Sequence, residues 1–447
     1  MNLPERFREN MQLLLKAEFP DFINALEASP VTAVRLNPFK TIPPPSELNV
    51  PWCSQGYYLT ERPSFTRDPR FHAGTYYVQD ASSMFLEQAF LQTTGHEKNL
   101  RVLDLCAAPG GKSTHLLSLL NSESLLVSNE VIRSRLPLLN TNIEKWGNLN
   151  AIVTSNDPSD FSAVKGFFDV VVVDAPCSGE GLFRKDADAM SEWSPAHVQM
   201  CAMRQQRILE NIWPALKENG VLIYSTCTWN ETENESNLRW LADSKQAESI
   251  RLNIQHSWGI TESESNKIFG YRFYPHRLKG EGFFLAAFRK REAEETISAQ
   301  RIKKENQRGN AVDQQLLEYL QTPEQYRLRS IGDAVFADLI RHEPDRQLLG
   351  QYLNIIHSGV NLGEVKHHKL IPGHALALTP ALRSDAFPCL DLDLEQALNY
   401  LRKDPIQGSG TTGFHTVAFE LHRLGFVNVL SNRVNNLLPM SARILNK

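Results

Sequence analysis

Two cysteines stand where a thiol could do chemistry: Cys177 in Asp174-Ala-Pro-Cys177-Ser-Gly-Glu180, and Cys227 in Ser225-Thr-Cys227-Thr228. Each string closes an apolar run, Val170 to Val173 and Val221 to Tyr224, which predicts each cysteine just past the C-terminal end of a buried strand. In an open α/β sheet that edge is where ligands bind. A thiolate there can attack carbon, so the pair points to covalent chemistry. A free cysteine elsewhere is ordinarily a small buried hydrophobe, the reading given to Cys53, Cys106, Cys201 and Cys389. Spacing alone does not rank Cys177 against Cys227 as the attacking group.

A glycine loop shows which second ligand the sheet is built for. Val102-Leu-Asp-Leu-Cys106-Ala107-Ala108-Pro109-Gly110-Gly111-Lys112-Ser-Thr-His115 reads as a strand, a tight turn and a helix start, whose backbone N–H groups can face a polar ligand. A P-loop would need glycine where Cys106 stands, and the single Gly-Gly pair is not a dinucleotide fingerprint. Glu130 ends the next apolar run, where an acid can accept both ribose hydroxyls, and Asp157 follows the third strand. With Asp174 there are three acids at successive strand tips, although each alone could be a helix cap or turn residue. Adenosine without phosphates fits, which points to S-adenosylmethionine. Lys112 at a helix start is unfavourable unless an acid or substrate balances it, so it is assigned to the site, whereas His115 is read as structural.

The positioning elements follow from the pattern. Residues 1–95 mix a helical opening, Phe7 to Leu26, with extended pieces and form an N-terminal α+β lobe; residues 96–290 alternate short apolar runs with helical stretches, the mark of βαβ units and a mainly parallel sheet. Residues 291–312 are rich in charge and read as a linker, and 313–447 would form small C-terminal α+β or β domains. A length of 447 residues, 42% hydrophobic and 22% charged, suits two or three soluble domains. The opening residues lack a signal-type apolar stretch and no long apolar run occurs, so a cytoplasmic protein with no membrane contact is expected. Six cysteines without CxxC spacing argue against a zinc site, and no metal is expected. A net charge of −4 neither demands nor forbids a nucleic acid.

Four strings in order, Cys106-Ala-Ala-Pro-Gly-Gly-Lys112, Asp174-Ala-Pro-Cys-Ser-Gly-Glu-Gly181, Tyr224-Ser-Thr-Cys-Thr228 and Arg277-Leu-Lys-Gly-Glu-Gly-Phe-Phe284, resemble the motif set of the Nol/Nop/Sun family of RNA cytosine-C5 methyltransferases. The stretch Gly425-Phe-Val-Asn-Val-Leu-Ser-Asn-Arg-Val-Asn-Asn-Leu437 is similar to the C-terminal extension of the family's bacterial 16S ribosomal RNA methyltransferase F branch, with Asn428 and Leu438 departing from that pattern. The resemblance implies a Rossmann-like methyltransferase core, an RNA-binding N-terminal lobe and a PUA-like C-terminal guide region. It also implies that Cys227 forms the covalent adduct, that Cys177 assists its breakdown, and that Asp174 contacts donor and base.

The chemistry is coherent in its own right. Carbon 5 of cytosine is too weak a nucleophile to take a methyl group directly, so a thiolate must first add to C6, and a proton must later leave C5. Lys112, Arg184 and Lys185 are the cations expected to favour the thiolate. The target base must leave its stack, which calls for a basic, aromatic-lined channel. Candidates are Arg35, Asn37, Tyr76, Tyr77, Phe183 to Lys185 and Tyr271 to Arg277, with Lys366-His-His-Lys369, Arg423 and Arg433 in the guide region. The expected partner is 16S ribosomal RNA or the 30S subunit; transfer RNA or 23S RNA, or a non-catalytic assembly role, are the alternatives.

Overall fold

The computed structural model describes the chain apart from residues 2, 96, 98, 295, 298–315, 367–368, 407–410 and 446–447. Helices Glu5–Leu15 and Phe19–Glu27 come first, followed by a small sheet of β1 (Thr32–Leu36), β2 (Gly56–Leu59) and β3 (Tyr76–Val78), ordered β2-β1-β3. The two helices pack away from that sheet. Phe7, Met11, Phe22 and Leu26 join Phe183, Trp193, Trp229 and Tyr274 of the next segment in one cluster.

The centre is a ten-stranded sheet. Its strands include β4 (Arg101–Asp104), β5 (Leu125–Asn129), β6 (Ala151–Thr154), β7 (Phe168–Asp174) and β8 (Leu216–Thr226), which pair in parallel in the order β6-β5-β4-β7-β8. Short β9 (Glu248–Ile250), then β10 (Thr261–Ser265), β11 (Ile268–Phe273) and β12 (Phe283–Arg289) follow, with β12 antiparallel to β8. This is a Rossmann-like arrangement. Its valine and leucine runs are apolar on both faces because both faces are covered: Val102, Val170 and Val172 point into one core, Leu103, Val171 and Val173 into the other. Strand order reverses direction between β4 and β7, so the loops leaving these two strands diverge and leave a crevice at their C-terminal ends.

The C-terminal region holds two four-stranded sheets: β13 (Tyr326–Ile331), β14 (Ala334–Leu339), β16 (Val360–Lys366) and β17 (Lys369–Pro372) in one, and β18 (Cys389–Asp391), β19 (Gly413–Phe419), β20 (His422–Val429) and β21 (Val434–Asn436) in the other. Between β14 and β16 the chain returns to the central sheet. There β15 (Ile355–Ser358) pairs antiparallel with β6, and Asn354 O accepts from Ser155 N at 3.0 Å. The C-terminal region is thus joined to the central sheet, which the pattern of apolar runs did not foretell. Most of the expected linker, 291–312, lies outside the described residues; at its start Lys290 Nζ donates to Trp213 O and Leu216 O. Among the described residues no helix is long and apolar enough to cross a membrane.

Candidate active site

The register of β7 and β8 aligns Asp174 with Ser225, so the residues that follow each strand emerge side by side. Cys177 Sγ and Cys227 Sγ lie 3.2 Å apart, each half-buried. The hydrogen bond to Cys227, aided by burial, holds the Cys177 thiol well above its ordinary value, so Cys177 keeps its proton and can present it to its neighbour. Asp174 sits between this pair and the glycine loop: its Oδ1 accepts from Ser225 Oγ at 2.8 Å and its Oδ2 pairs with Lys112 Nζ at 2.7 Å. Lys112 Nζ also lies 5.2 Å from the centre of the Phe283 ring. The acid that a lysine at this helix start required is therefore Asp174. Arg184 and Lys185 do not reach the thiols as free charges, since Arg184 pairs with Glu281 at 2.8 Å and Lys185 with Glu281 and Asp80.

The loop from Cys106 to Lys112 is tied down from outside. Ala107 N donates to Asn129 O, Arg135 Nη2 to Ala108 O at 2.5 Å and Asn142 Nδ2 to Pro109 O at 2.8 Å. Gly110 takes φ of 109°, open to glycine at little cost, and precedes the helix Gly111–Leu119, whose first turn has no side-chain cap. A Cβ on Gly111 would come within 3.3 Å of the Tyr77 ring, so a larger residue there would need the ring to give by a few tenths of an ångström.

Glu130 is buried at the tip of β5; Oε1 accepts from Ile132 N at 2.8 Å, whereas Oε2 makes no hydrogen bond and lies 3.4 Å from Arg135 Nη1. That orphaned oxygen fits a bound hydroxyl. Asp157 is more exposed, and its Oδ1 caps a short helix by accepting from Ser159 N at 3.0 Å, with Arg207 3.7 Å from Oδ2. The capping bond holds it below the usual carboxylate range.

Several residues that sequence reasoning left unassigned support the sulfurs. Glu233 is fully buried and accepts from Ser178 N at 2.9 Å, Ser178 Oγ at 2.5 Å and Gln205 Nε2 at 2.9 Å, fixing the loop beside Cys177. Burial pushes its carboxyl up to about 7. Glu180 accepts from Trp193 Nε1, Trp229 N and Asn230 Nδ2, and Gly181 N donates to Cys227 O at 2.8 Å. Asp104, at the end of β4, holds Ser113 Oγ at 2.6 Å, leaves Oδ1 unpartnered, and is pushed up to about 7 by burial.

The expected RNA-contact residues are largely a correction. Arg35 is wholly buried, its guanidinium donating to Gln79 Oε1 and Thr114 Oγ1 and stacking 4.6 Å from Trp146; Asn37 donates to Gly74 O and Trp146 O. Tyr76, Phe183, Tyr271, Arg272, Phe273 and Tyr274 are buried as well, and Arg423 donates to Leu382 O and Arg383 O. Lys185 and Arg277 remain partly exposed. His367 and His368 lie outside the described residues. His115 is buried with Cys53 and Glu87, Nε2 3.1 Å from Glu87 Oε2, and Cys53 Sγ donates to that oxygen at 3.2 Å. Cys53 is thus a hydrogen-bonded thiol rather than a plain hydrophobe.

Comparison with known proteins adds context. A family model described as 16S rRNA methyltransferase RsmB/F matches residues 90–289, one for the N-terminal domain of 16S rRNA methyltransferase RsmF matches 3–81, and one for the methyltransferase RsmF PUA domain matches 387–444. Relatives named ribosomal RNA small subunit methyltransferase F include one from Vibrio cholerae, 30% identical with 98% of this chain and 97% of the relative covered, and one from Vibrio atlanticus, 31% identical with 87% and 84% covered. Among solved structures, a methyltransferase homolog protein from Pyrococcus horikoshii is 27% identical with TM-score 0.51, covering 61% of this chain and 90% of that one. NSun6 from the same organism, solved with SFG, matches at TM-score 0.55 and 20% identity, covering 65% and 98%, and shares the fold.

Proposed function

Because this chain belongs to the family of 16S rRNA methyltransferases RsmB/F, and so is an RNA methyltransferase, we propose that it makes 5-methylcytosine in 16S ribosomal RNA through a covalent Cys227–C6 adduct, working in the cytoplasm. The observation that carries the reading is the pair of sulfurs 3.2 Å apart, beside a carboxylate that also holds the lysine of the glycine loop.

S-adenosylmethionine, when bound, supplies an electrophilic sulfonium methyl group. Its adenosine would be held by the backbone of the loop Cys106 to Lys112, with Glu130, whose Oε2 makes no hydrogen bond, accepting from ribose hydroxyls and Asp157 contacting the base. Asp174 and Lys112 lie between the two substrates. Asp174 accepts from the exocyclic amine of the flipped cytosine, while Lys112 balances its charge. Cys227 Sγ, as a thiolate whose proton has passed to solvent, forms a bond to C6, and the electron pair of the C5–C6 double bond forms the new C5–methyl bond as the methyl–sulfur bond of the donor breaks, its electrons staying on the departing sulfur. A water in the site then takes the C5 proton, and the electrons of that C–H bond re-form the double bond as the bond from C6 to Cys227 Sγ breaks. Cys177, which keeps its proton, hands it to the departing sulfur and so favours release over reversal.

The test is methyl transfer from radiolabelled S-adenosylmethionine to 30S subunits, naked 16S RNA and bulk transfer RNA that lack the modification, with bisulfite mapping of any product. Label at one cytosine of 16S RNA is expected. Label only in transfer RNA, or none with the donor bound, refutes the substrate assignment or the enzymatic reading, respectively.

A further inference from the structure

Away from the sulfur pair, five nitrogen-bearing side chains converge where the N-terminal lobe, the central helix Leu136–Trp146 and the C-terminal sheets meet. They are Lys40, His72, Lys145, His374 and His422, and all five are half-buried where these parts meet. Lys40 Nζ is held by the carbonyls that end two helices, Ala73 O at 2.8 Å and Lys145 O at 2.7 Å, which leaves its third hydrogen free. Lys145 Nζ lies 4.0 Å from the centre of the Phe71 ring and makes no hydrogen bond or ion pair with the described residues. His374 Nδ1 is likewise unpartnered.

The positive groups feel one another. Burial and then the Lys145 charge lower Lys40 to about 7, burial lowers Lys145 to about 8, and burial followed by Lys40, His72 and Lys145 lowers His374 to about 4. Two acids border the cluster, and both are engaged: Glu420 takes Arg70 through both oxygens, and Asp68 accepts from Arg70 N and Tyr76 O–H. Desolvated positive charge without a partner acid is unfavourable, and an anion seated there would offset it.

We propose that this cluster binds a phosphodiester of the RNA backbone, with Lys40 and Lys145 as its charge partners and His374 and His422 as further donors. The placement clamps all three parts of the protein onto one strand at a site separate from the reacting base. The proposal rests on RNA being the substrate, and it concerns positioning only.

The experiment compares the full chain with Lys145→Gln, chosen because its ammonium makes no protein hydrogen bond, and with Lys145→Arg as the charge-conserving control. Filter binding to 16S RNA across a salt series is expected to show a several-fold affinity loss for Lys145→Gln, a salt slope smaller by about 1, unchanged turnover at saturating RNA, and recovery in Lys145→Arg. Equal affinity and slope in Lys145→Gln and the unaltered protein overturn the proposal. A parallel melting series with inorganic phosphate against chloride at matched ionic strength separates sources: stabilisation lost in Lys145→Gln with RNA binding unaffected makes this a free-phosphate site and overturns the RNA assignment. If the unaltered protein methylates no RNA, the functional reading fails, while the two binding series still decide the role of the cluster.

Discussion

Glu233→Gln tests whether the support beneath the sulfurs is a buried carboxyl that holds its proton. Burial raises this group from 4.5 in the unfolded chain to about 7 in the folded one. Between those values the folded protein binds a proton that the unfolded chain releases. The resulting stabilisation is fully present below pH 4.5 and is lost as pH rises through 7. At about 1.4 kcal/mol per pH unit, the span of roughly 2.5 units amounts to about 3 kcal/mol. Glutamine keeps the size and cannot titrate. The assay is denaturant unfolding of both proteins from pH 4.5 to 8, read as the difference between them, because Asp104 and Glu144 are pushed up in the same direction and cancel only in that difference. The unaltered protein should lose about 3 kcal/mol relative to Glu233→Gln across the range. A difference that stays flat with pH refutes the buried-carboxyl account.

Cys227→Ala should abolish methyl transfer while donor binding, followed by calorimetry, stays near normal. Full activity would end the nucleophile assignment. Cys177→Ala should accumulate a protein–RNA adduct that survives a denaturing gel, since release loses its proton donor; the absence of such a band counts against that role. In Gly181→Ala the added Cβ would sit 2.3 Å from Gly282 O, so a loss of about 1–3 kcal/mol in thermal unfolding is expected, together with lower turnover because Gly181 N anchors Cys227 O.

The sheet was legible because its strands are buried on both faces, and that writes continuous apolar runs such as Val170 to Val173 into the chain. Cys177, Cys227, Asp174 and Lys112 were legible for a related reason: each follows directly on a strand or tight turn, and the tips of neighbouring parallel strands lie together. What lay hidden depended on contacts distant in sequence. Arg35 and Asn37 carry the chemistry of RNA-binding residues, yet each is consumed by acceptors of both the N-terminal lobe and the catalytic segment, and no local pattern marks a buried guanidinium. Glu233 lies in Glu231-Thr-Glu-Asn-Glu235, where nothing in the string distinguishes the acid that turns inward to Ser178. β15 escaped notice because a four-residue strand joins a partner about two hundred residues earlier.

That return of the chain to β6 has a consequence for how a target is chosen. A guide hung on a flexible tether would search, and the reach of the tether would set a range of acceptable nucleotides. Here Ile355 to Ser358 belong to the same hydrogen-bonded sheet as the strands that carry Cys177 and Cys227. If the C-terminal region guides RNA as proposed, the span between it and the sulfurs is a fixed gauge, cut to one length. On the proposed function, an RNA is accepted when its fold presents a cytosine at that length, and lengthening or shortening the RNA between the two contacts by even one nucleotide should take the base out of reach.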